Sequence, residues 1–227
     1  MGHEYIRYVP DLGMYAFSRG RNTCLWQTPW CKKHCYMGKF EQMGWSKSEW
    51  DELDNKWWLE SAPEAIVAEI IRVAGNDGTP PTRFRFSVKG EIWNSAEDVE
   101  KVRQILLQMP DTLFWIPTRA WHDWRMSEHI EYSIFPLPNA RVSASVDPTD
   151  NISEVQVARD MVWSLMFTGD NDPAEQTMLT ENGLDEKWTK DMYRCPKTWQ
   201  DAKGHCALCT EGCFRKERTE VHLKKHR

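Results

Sequence analysis

Long hydrophobic runs and an excess of positive charge are both missing from this sequence of 227 residues. No apolar stretch approaches the roughly 18–20 residues that a membrane-spanning helix needs, so we expect no membrane partner. The first residues contain no apolar core of a secretory signal, which predicts a cytoplasmic protein. The net charge of −5 argues against a protein that coats nucleic acid over its whole surface.

Cysteine is absent from the 159 residues between positions 36 and 194, and all seven cysteines lie in two groups on either side of this gap. The first group is Cys24, Cys31 and Cys35, and the second is Cys195, Cys206, Cys209 and Cys213. An odd number in two tight groups is unlike the disulfide framework of a small secreted protein. In a reducing cytoplasm, such groups indicate metal sites.

The first group has the spacing C-x6-C-x3-C. Three thiolates can hold three irons of a [4Fe–4S] cluster and leave the fourth iron open to an outside ligand. A zinc site completed by His34 or another residue is the alternative. Pro29 lies between these cysteines and predicts a loop rather than a regular helix.

The second group places four cysteines within 19 residues, and its C-x2-C pair is a strong metal signal. Both zinc ribbons and [4Fe–4S] clusters use this pattern. Pro196, next to Cys195, and the presence of the first group favour iron–sulfur. Three histidines nearby leave a zinc site possible: His205, His222 and His226.

Strand and helix patterns alternate with about 20–30 residues per unit, which predicts parallel strands joined by helical crossovers. The strand patterns cover residues 13–18, 83–88, 112–118, 141–146 and 161–168. We therefore expect an α/β fold, with a partial (β/α) barrel or an open parallel sheet of about five to six strands. Residues 1–170 would form this domain, and residues 171–227 a linker and a C-terminal cysteine-rich metal module.

The residues around the predicted strands carry two further expectations. Ser61-Ala-Pro-Glu64 matches a capping box that opens a helix, and Ser95 is a second helix cap. Functional residues in such folds gather at the C-terminal ends of the strands. The cysteine loop, the Lys89–Glu91 turn and Arg119 should therefore share one face.

The order of these motifs resembles the radical S-adenosylmethionine superfamily, although its usual loop is C-x3-C-x2-C. It resembles more closely a phage-encoded family known as gene product eighty-eight, regarded as radical-SAM-like. The matching stretches extend from about residue 13 to 214: TCLWQTPWCKKHCY, FRFSVKGEIWN, TLFWIPTRAW, RVSASVD, CPKTWQ and CALCTEGCF.

The resemblance implies an enzyme whose first cysteine group holds a catalytic [4Fe–4S] cluster that binds S-adenosylmethionine and generates a 5′-deoxyadenosyl radical. It implies an auxiliary cluster on the second group, where zinc stays possible, and a reductant such as flavodoxin or ferredoxin. If the protein is phage-encoded, it would act in the bacterial host cytoplasm. Together with the basic C-terminal tail, RKERTEVHLKKHR, the phage association suggests a nucleic acid or nucleotide substrate, and a solvated helix end is the alternative for the tail.

By the same resemblance, eight residues contact S-adenosylmethionine: Tyr36, Lys89, Gly90, Glu91, Arg119, Ser143, Ser145 and Asp147. The turn at Gly90 would receive the methionine amino group, with Glu91 complementing its charge. Tyr36 would lie near the adenine, and Arg119 would pair with the methionine carboxylate. Ser143, Ser145 and Asp147 would face the ribose or the carboxylate. Solvated loop charges or helix caps are the alternative for Glu91, Arg119 and Asp147.

Two other functions fit the same sequence. One is a non-enzymatic protein in which zinc or redox-sensing clusters support binding to nucleic acid or to a protein partner. The other is an iron–sulfur protein of electron transfer that does not bind S-adenosylmethionine. Colour separates zinc from iron–sulfur, since zinc proteins are colourless, and binding of S-adenosylmethionine separates the enzyme from the electron carrier.

Overall fold

The computed structural model describes residues 3–35, 37–38, 43, 48–161, 163–169, 172–184, 189, 192–195, 198, 206, 209, 212–215 and 220–224. Eight strands in these ranges form one sheet: β1 Arg7–Val9, β2 Met14–Phe17, β3 Arg83–Phe86, β4 Leu113–Thr118, β5 Ala140–Val146, β6 Ser164–Thr168, β7 Tyr193–Arg194 and β8 Glu220–Leu223. Their order is β1-β2-β3-β4-β5-β6-β8-β7. β1 is antiparallel to β2, and the other pairings among these strands are parallel.

The α-helices of the described ranges follow or connect these strands: α1 Pro29–His34, α2 Ser48–Glu60, α3 Pro63–Ala74, α4 Ala96–Gln108, α5 Trp124–Ser133, α6 Ile152–Asp160 and α7 Pro173–Glu181. From β3 to β6, each parallel strand is followed by a helix before the next strand begins. The α/β class and the parallel crossovers are therefore confirmed. No helix in the described part of the chain is long and apolar enough to cross a membrane.

The predicted count of about five to six strands was too low. The sheet also contains the short strand β1 and two strands from beyond residue 170, with β8 paired to β6 and β7 paired to β8. β1 has three residues and β7 has two, too few to show an alternating pattern in sequence. The sheet is open, with β1 and β7 at its edges. The division at residue 170 stays a prediction, although strands from both sides of it share this sheet.

The two faces of the sheet have different partners. Phe84 and Phe86 of β3 belong to the main hydrophobic core together with residues of the helices, whereas Arg83 and Arg85 point to the other face by strand alternation. A second apolar cluster covers that other face: Leu12, Met14, Trp115, Met166, Cys206 and Phe214. Cys206 and the partly buried Cys213 therefore pack on the face opposite the main core.

One predicted helix cap is confirmed and one is wrong. Ser95 caps α4, and its hydroxyl accepts a hydrogen bond from Asp98 N at 3.2 Å. Ser61 does not cap α3, because Pro63 is the first helical residue and the N-cap is therefore Ala62. Proline favours the first helical position since it has no N–H to leave unsatisfied.

Candidate functional site

A cavity of about 550 Å³ opens at the C-terminal ends of the parallel strands. The three cysteines of the first group line it, and so do Cys195, Cys206 and Cys213 of the second group. Cys209 is not among the lining residues. The fold thus brings both cysteine groups to one cavity, although 159 residues separate them in sequence.

A short helix contains Cys31 and has Cys35 as its C-cap. Pro29 begins α1 instead of excluding a helix, and Thr28 is its N-cap. The Thr28 hydroxyl accepts a hydrogen bond from Cys31 N at 3.0 Å and donates one to Asp147 Oδ2 at 2.5 Å. The prediction of a loop was wrong because proline is well tolerated in the first turn of a helix. Asp147, directly after β5, therefore anchors the N-terminus of α1.

Cys24 is held by the turn that follows β3. It comes directly after a 3-10 turn, Arg21–Thr23. The Thr23 hydroxyl accepts from Glu91 N at 2.8 Å and lies 2.8 Å from Gly20 O, to which it can donate. This contact ties the cysteine loop to residues 89–91.

Arg119 joins the ends of β4 and β5 through two buried carboxylates. Its guanidinium lies 3.0 Å from Asp147 Oδ2 and donates to both oxygens of Asp150 at 2.8 and 2.9 Å. Its Nε donates to Trp26 O at 3.2 Å, inside the first cysteine loop. Both aspartate side chains are only 1% exposed. The guanidinium thus has partners within the protein, and its predicted pairing with the methionine carboxylate stays a prediction.

Neighbouring charges oppose the effect of burial on the pKa values of Arg119 and Asp150. Burial lowers the pKa of Arg119, but the charges of Asp150 and Asp147 outweigh burial and raise that pKa above its ordinary value. Burial would raise the pKa of Asp150, but a hydrogen bond from His122 and the charge of Arg119 hold it below the usual range. Sequence reasoning missed Asp150, whose one sequence signal is its place in the Asp-Pro-Thr-Asp turn after β5.

Glu91 links the turn after β3 to the end of β4. One carboxylate oxygen accepts from the backbone N–H of Ile92 and Trp93, and the other accepts from Thr118 Oγ1 at 2.8 Å and Arg119 N at 3.0 Å. Burial outweighs these hydrogen bonds and raises its pKa to about 7. A carboxylate has about four acceptor positions, and protein donors occupy four here. The Glu91 carboxylate is therefore fully hydrogen-bonded within the protein, and its role in complementing a ligand ammonium stays a prediction.

Gly90 and Lys89 also have partners within the protein. Gly90 has a φ of +69°, and a Cβ there would lie 2.4 Å from Arg19 O. Glycine is therefore required by close approach of the protein backbone, independently of any ligand. Lys89 forms a buried ion pair with Asp51 of α2. Both Gly90 and Lys89 line the cavity.

Of the remaining residues predicted to bind S-adenosylmethionine, some line the cavity and others do not. Ser145 lines the cavity, as does Asp147. Ser143 is 3% exposed and is not among the lining residues. Tyr36 lies outside the described residues.

The cysteine thiols are strongly influenced by burial and by one another. Burial, followed by the charges of Glu91, Cys31 and Cys35, raises the pKa of Cys24 to about 12. Burial raises the pKa of Cys31 to about 11. These thiols stay protonated at neutral pH unless a metal cation replaces the proton.

In the second group, the other three cysteines influence the thiol of Cys213. Burial raises the pKa of Cys213 well above its ordinary value, and the charges of Cys195, Cys206 and Cys209 contribute. Arg83 lies beneath this group, where its Nη1 donates to Cys206 O at 2.6 Å and its guanidinium is 4.5 Å from the Phe214 ring centroid.

Three cysteine thiols that line one cavity supply the type of ligand that an iron–sulfur cluster uses. Among the described residues, no three His, Cys, Asp or Glu side chains converge closely enough to hold one metal ion. A [4Fe–4S] cluster does not require such convergence, because each thiolate binds a different iron. Soft sulfur ligands grouped beside a largely apolar cavity are the chemistry that such a cluster uses.

The chain was compared with known proteins. The profile of a family described as Gene product 88 matches residues 4–219. No curated protein and no solved structure matches the chain. Since the match covers most of the sequence, the chain belongs to the gene product 88 family.

Proposed function

We propose that this protein is an iron–sulfur enzyme of the radical S-adenosylmethionine type. The observation that carries the proposal is that Cys24, Cys31 and Cys35 line a cavity at the C-terminal ends of parallel strands. Ligands bind at this edge of α/β sheets. The cavity volume of about 550 Å³ lies within the range usual for small-molecule sites.

The residues of the chain prepare this site in two ways. Thr28, Asp147 and Arg119 fix the cysteine loop against the strand ends, and Trp26 and Trp30 give the cavity apolar walls that exclude water. A cluster held by the three cysteines would supply the electron that cleaves S-adenosylmethionine to a 5′-deoxyadenosyl radical.

Polar contacts to S-adenosylmethionine would come from groups that face the cavity. The backbone of residues 89–91 would receive the methionine amino group, with the Glu91 charge nearby. Ser145 also lines the cavity and would contact the ribose or the carboxylate. In this proposal, Arg119 and Asp147 support the cysteine loop in addition to any contact with the ligand.

The second cysteine group would hold an auxiliary cluster. Three of its four cysteines line the same cavity as the first group, which favours a role beside the substrate or in electron relay. Zinc is the alternative metal for the second group. A measured content of about four irons per chain together with zinc would assign the zinc to this group. The proposed partners are a flavodoxin-like or ferredoxin-like reductant and a nucleic acid or nucleotide substrate.

A second candidate function is electron transfer by an iron–sulfur protein that does not bind S-adenosylmethionine. The observation that favours it is that Glu91 and the Arg119 guanidinium, both predicted to bind the ligand, have protein partners. The two candidates differ in whether the reduced protein consumes S-adenosylmethionine.

The test uses anaerobically purified, full-length protein with dithionite and S-adenosylmethionine, and quantifies 5′-deoxyadenosine by mass spectrometry. The wild type should produce it. Cys31→Ala should lose roughly half of the iron and abolish 5′-deoxyadenosine formation. Cys209→Ala is the matched control and should lose iron from the second group while retaining cleavage. Iron-loaded wild type that forms no 5′-deoxyadenosine would favour electron transfer.

A further inference from the structure

The buried polar atoms of cavity-lining residues that have no hydrogen-bond partner within the described ranges include Ser87 Oγ and Trp115 Nε1. Ser87 is 6% exposed and Trp115 is 4% exposed. A buried polar group without a partner costs free energy, and such groups are rare in native proteins. Two of them on the walls of one cavity therefore point to a bound group that satisfies both.

The backbone at Ser87 is also unusual. Ser87 has a φ of +59°, in the left-handed region that side chains other than glycine seldom adopt. The surrounding chain enforces this conformation: Ser87 N donates to Phe17 O at 3.0 Å, and Val88 N donates to Ser18 Oγ at 3.0 Å. Strained residues of this kind cluster at ligand-binding sites, where the surrounding structure holds them.

Arg85 connects these two residues. It is the direct cross-strand partner of Trp115, and its guanidinium lies 4.2 Å from the Trp115 ring centroid. Its Nη2 donates to Ser87 O at 3.2 Å. Arg85 lines the same cavity. The three residues thus form a continuous part of the wall, and Trp115 continues to Phe214 in an edge-on ring contact next to Cys213.

We propose that Arg85, Ser87 and Trp115 bind an oxyanion group of the substrate, a carboxylate or a phosphate. Guanidinium and indole N–H groups only donate hydrogen bonds, and the Ser87 hydroxyl can donate as well. Three neighbouring donors on one cavity wall, one of them charged, suit a negatively charged acceptor. The subsite lies on the side of the cavity near the second cysteine group. This inference deepens the proposed function, on which it rests for the identity of the bound molecule as substrate.

The test measures the thermal midpoint of the full-length protein with inorganic phosphate, with acetate, and with chloride at equal ionic strength. Phosphate, acetate or both should raise the midpoint relative to chloride, because binding to the folded state stabilises it. The stronger response identifies the source of the oxyanion. Ser87→Gly and Trp115→Phe should each weaken the apparent affinity about tenfold, since each loses a hydrogen bond to a charged group.

Arg103→Gln, at an exposed position on α4, is the control and should respond as the wild type does. Trp115→Phe keeps an aromatic ring beside Arg85, and Ser87→Gly suits the positive φ, so both variants should fold. Equal responses in wild type and variants, or no response of the wild type to either anion, would overturn the proposal. The measurement needs no S-adenosylmethionine. An anion response without 5′-deoxyadenosine formation would therefore reject the enzyme assignment and keep the subsite.

Discussion

Replacing Arg119 with methionine should destabilise the protein strongly. The substitution keeps an unbranched side chain of similar length but leaves Asp147 and Asp150 buried without their cation, and both are only 1% exposed. Removing one partner from a buried ion pair costs about 3–5 kcal/mol. For a chain of this size, this loss corresponds to a fall in the thermal midpoint of roughly 6–20 °C.

Arg103→Met is the matched control for this change. Arg103 lies 3.1 Å from Glu100 in an exposed pair on α4. Such surface pairs contribute about 0–1 kcal/mol, so this variant should melt within a few degrees of the wild type. The assay compares thermal midpoints of anaerobically purified proteins at pH 7.

The pH dependence of the difference in thermal midpoint tests whether the lost charge of Arg119 causes the destabilisation. In the wild type, the pKa of Asp150 is below its usual range, partly because of Arg119. Without Arg119 the Asp150 carboxylate should protonate at higher pH, which relieves the buried charge. The difference between Arg119→Met and wild type should therefore shrink as the pH falls from 7 to about 5. A midpoint no lower than that of Arg103→Met, or a difference independent of pH, would refute this account of the network.

Three other substitutions test separate parts of the site. Thr28→Val removes the cap of α1 and should cost about 1–2 kcal/mol in urea unfolding, whereas Thr28→Ser should cost much less. Burial raises the pKa of Glu91 from 4.5 to about 7, so the folded state binds the proton more tightly than the unfolded state. Wild-type stability should therefore fall by about 3 kcal/mol as the pH rises from 4.5 to about 7, and Glu91→Gln should remove this slope. A slope that persists in Glu91→Gln would assign it to another group. Ser87→Gly should raise the free energy of unfolding by about 1 kcal/mol, because glycine adopts the positive φ without strain and removes a buried unpaired hydroxyl. A loss of stability in this variant would contradict the claim that the backbone at Ser87 is strained.

The alternation of strand and helix patterns was sufficient to predict an α/β fold with parallel strands. It did not predict where the chain returns after residue 170. β8 has four residues and pairs beside β6, a contact fixed by tertiary packing rather than by local pattern. The prediction of a loop at Pro29 failed because the sequence does not show where α1 starts. Proline is compatible with a helix in its first turn, and Pro29 is the first residue of α1.

The cysteine spacing predicts a metal site, but it gives no indication of how the charged residues around the cavity are arranged. Arg119 and Glu91 were correctly singled out as residues near the strand ends, but their partners come from segments far away in sequence. Arg85 and Ser87 belong to an alternating strand pattern that would ordinarily place polar residues in solvent. They face a cavity here because Cys206 and Phe214 cover that side of the sheet.

The most direct test of the central claim is the iron and sulfide content of anaerobically purified protein, together with the EPR spectrum of the reduced protein with and without S-adenosylmethionine. Two clusters, one with an open iron, predict about eight irons per chain and a spectrum that changes when S-adenosylmethionine is added. Protein that contains zinc without iron, or a reduced cluster whose spectrum is unaffected by S-adenosylmethionine, would contradict the claim.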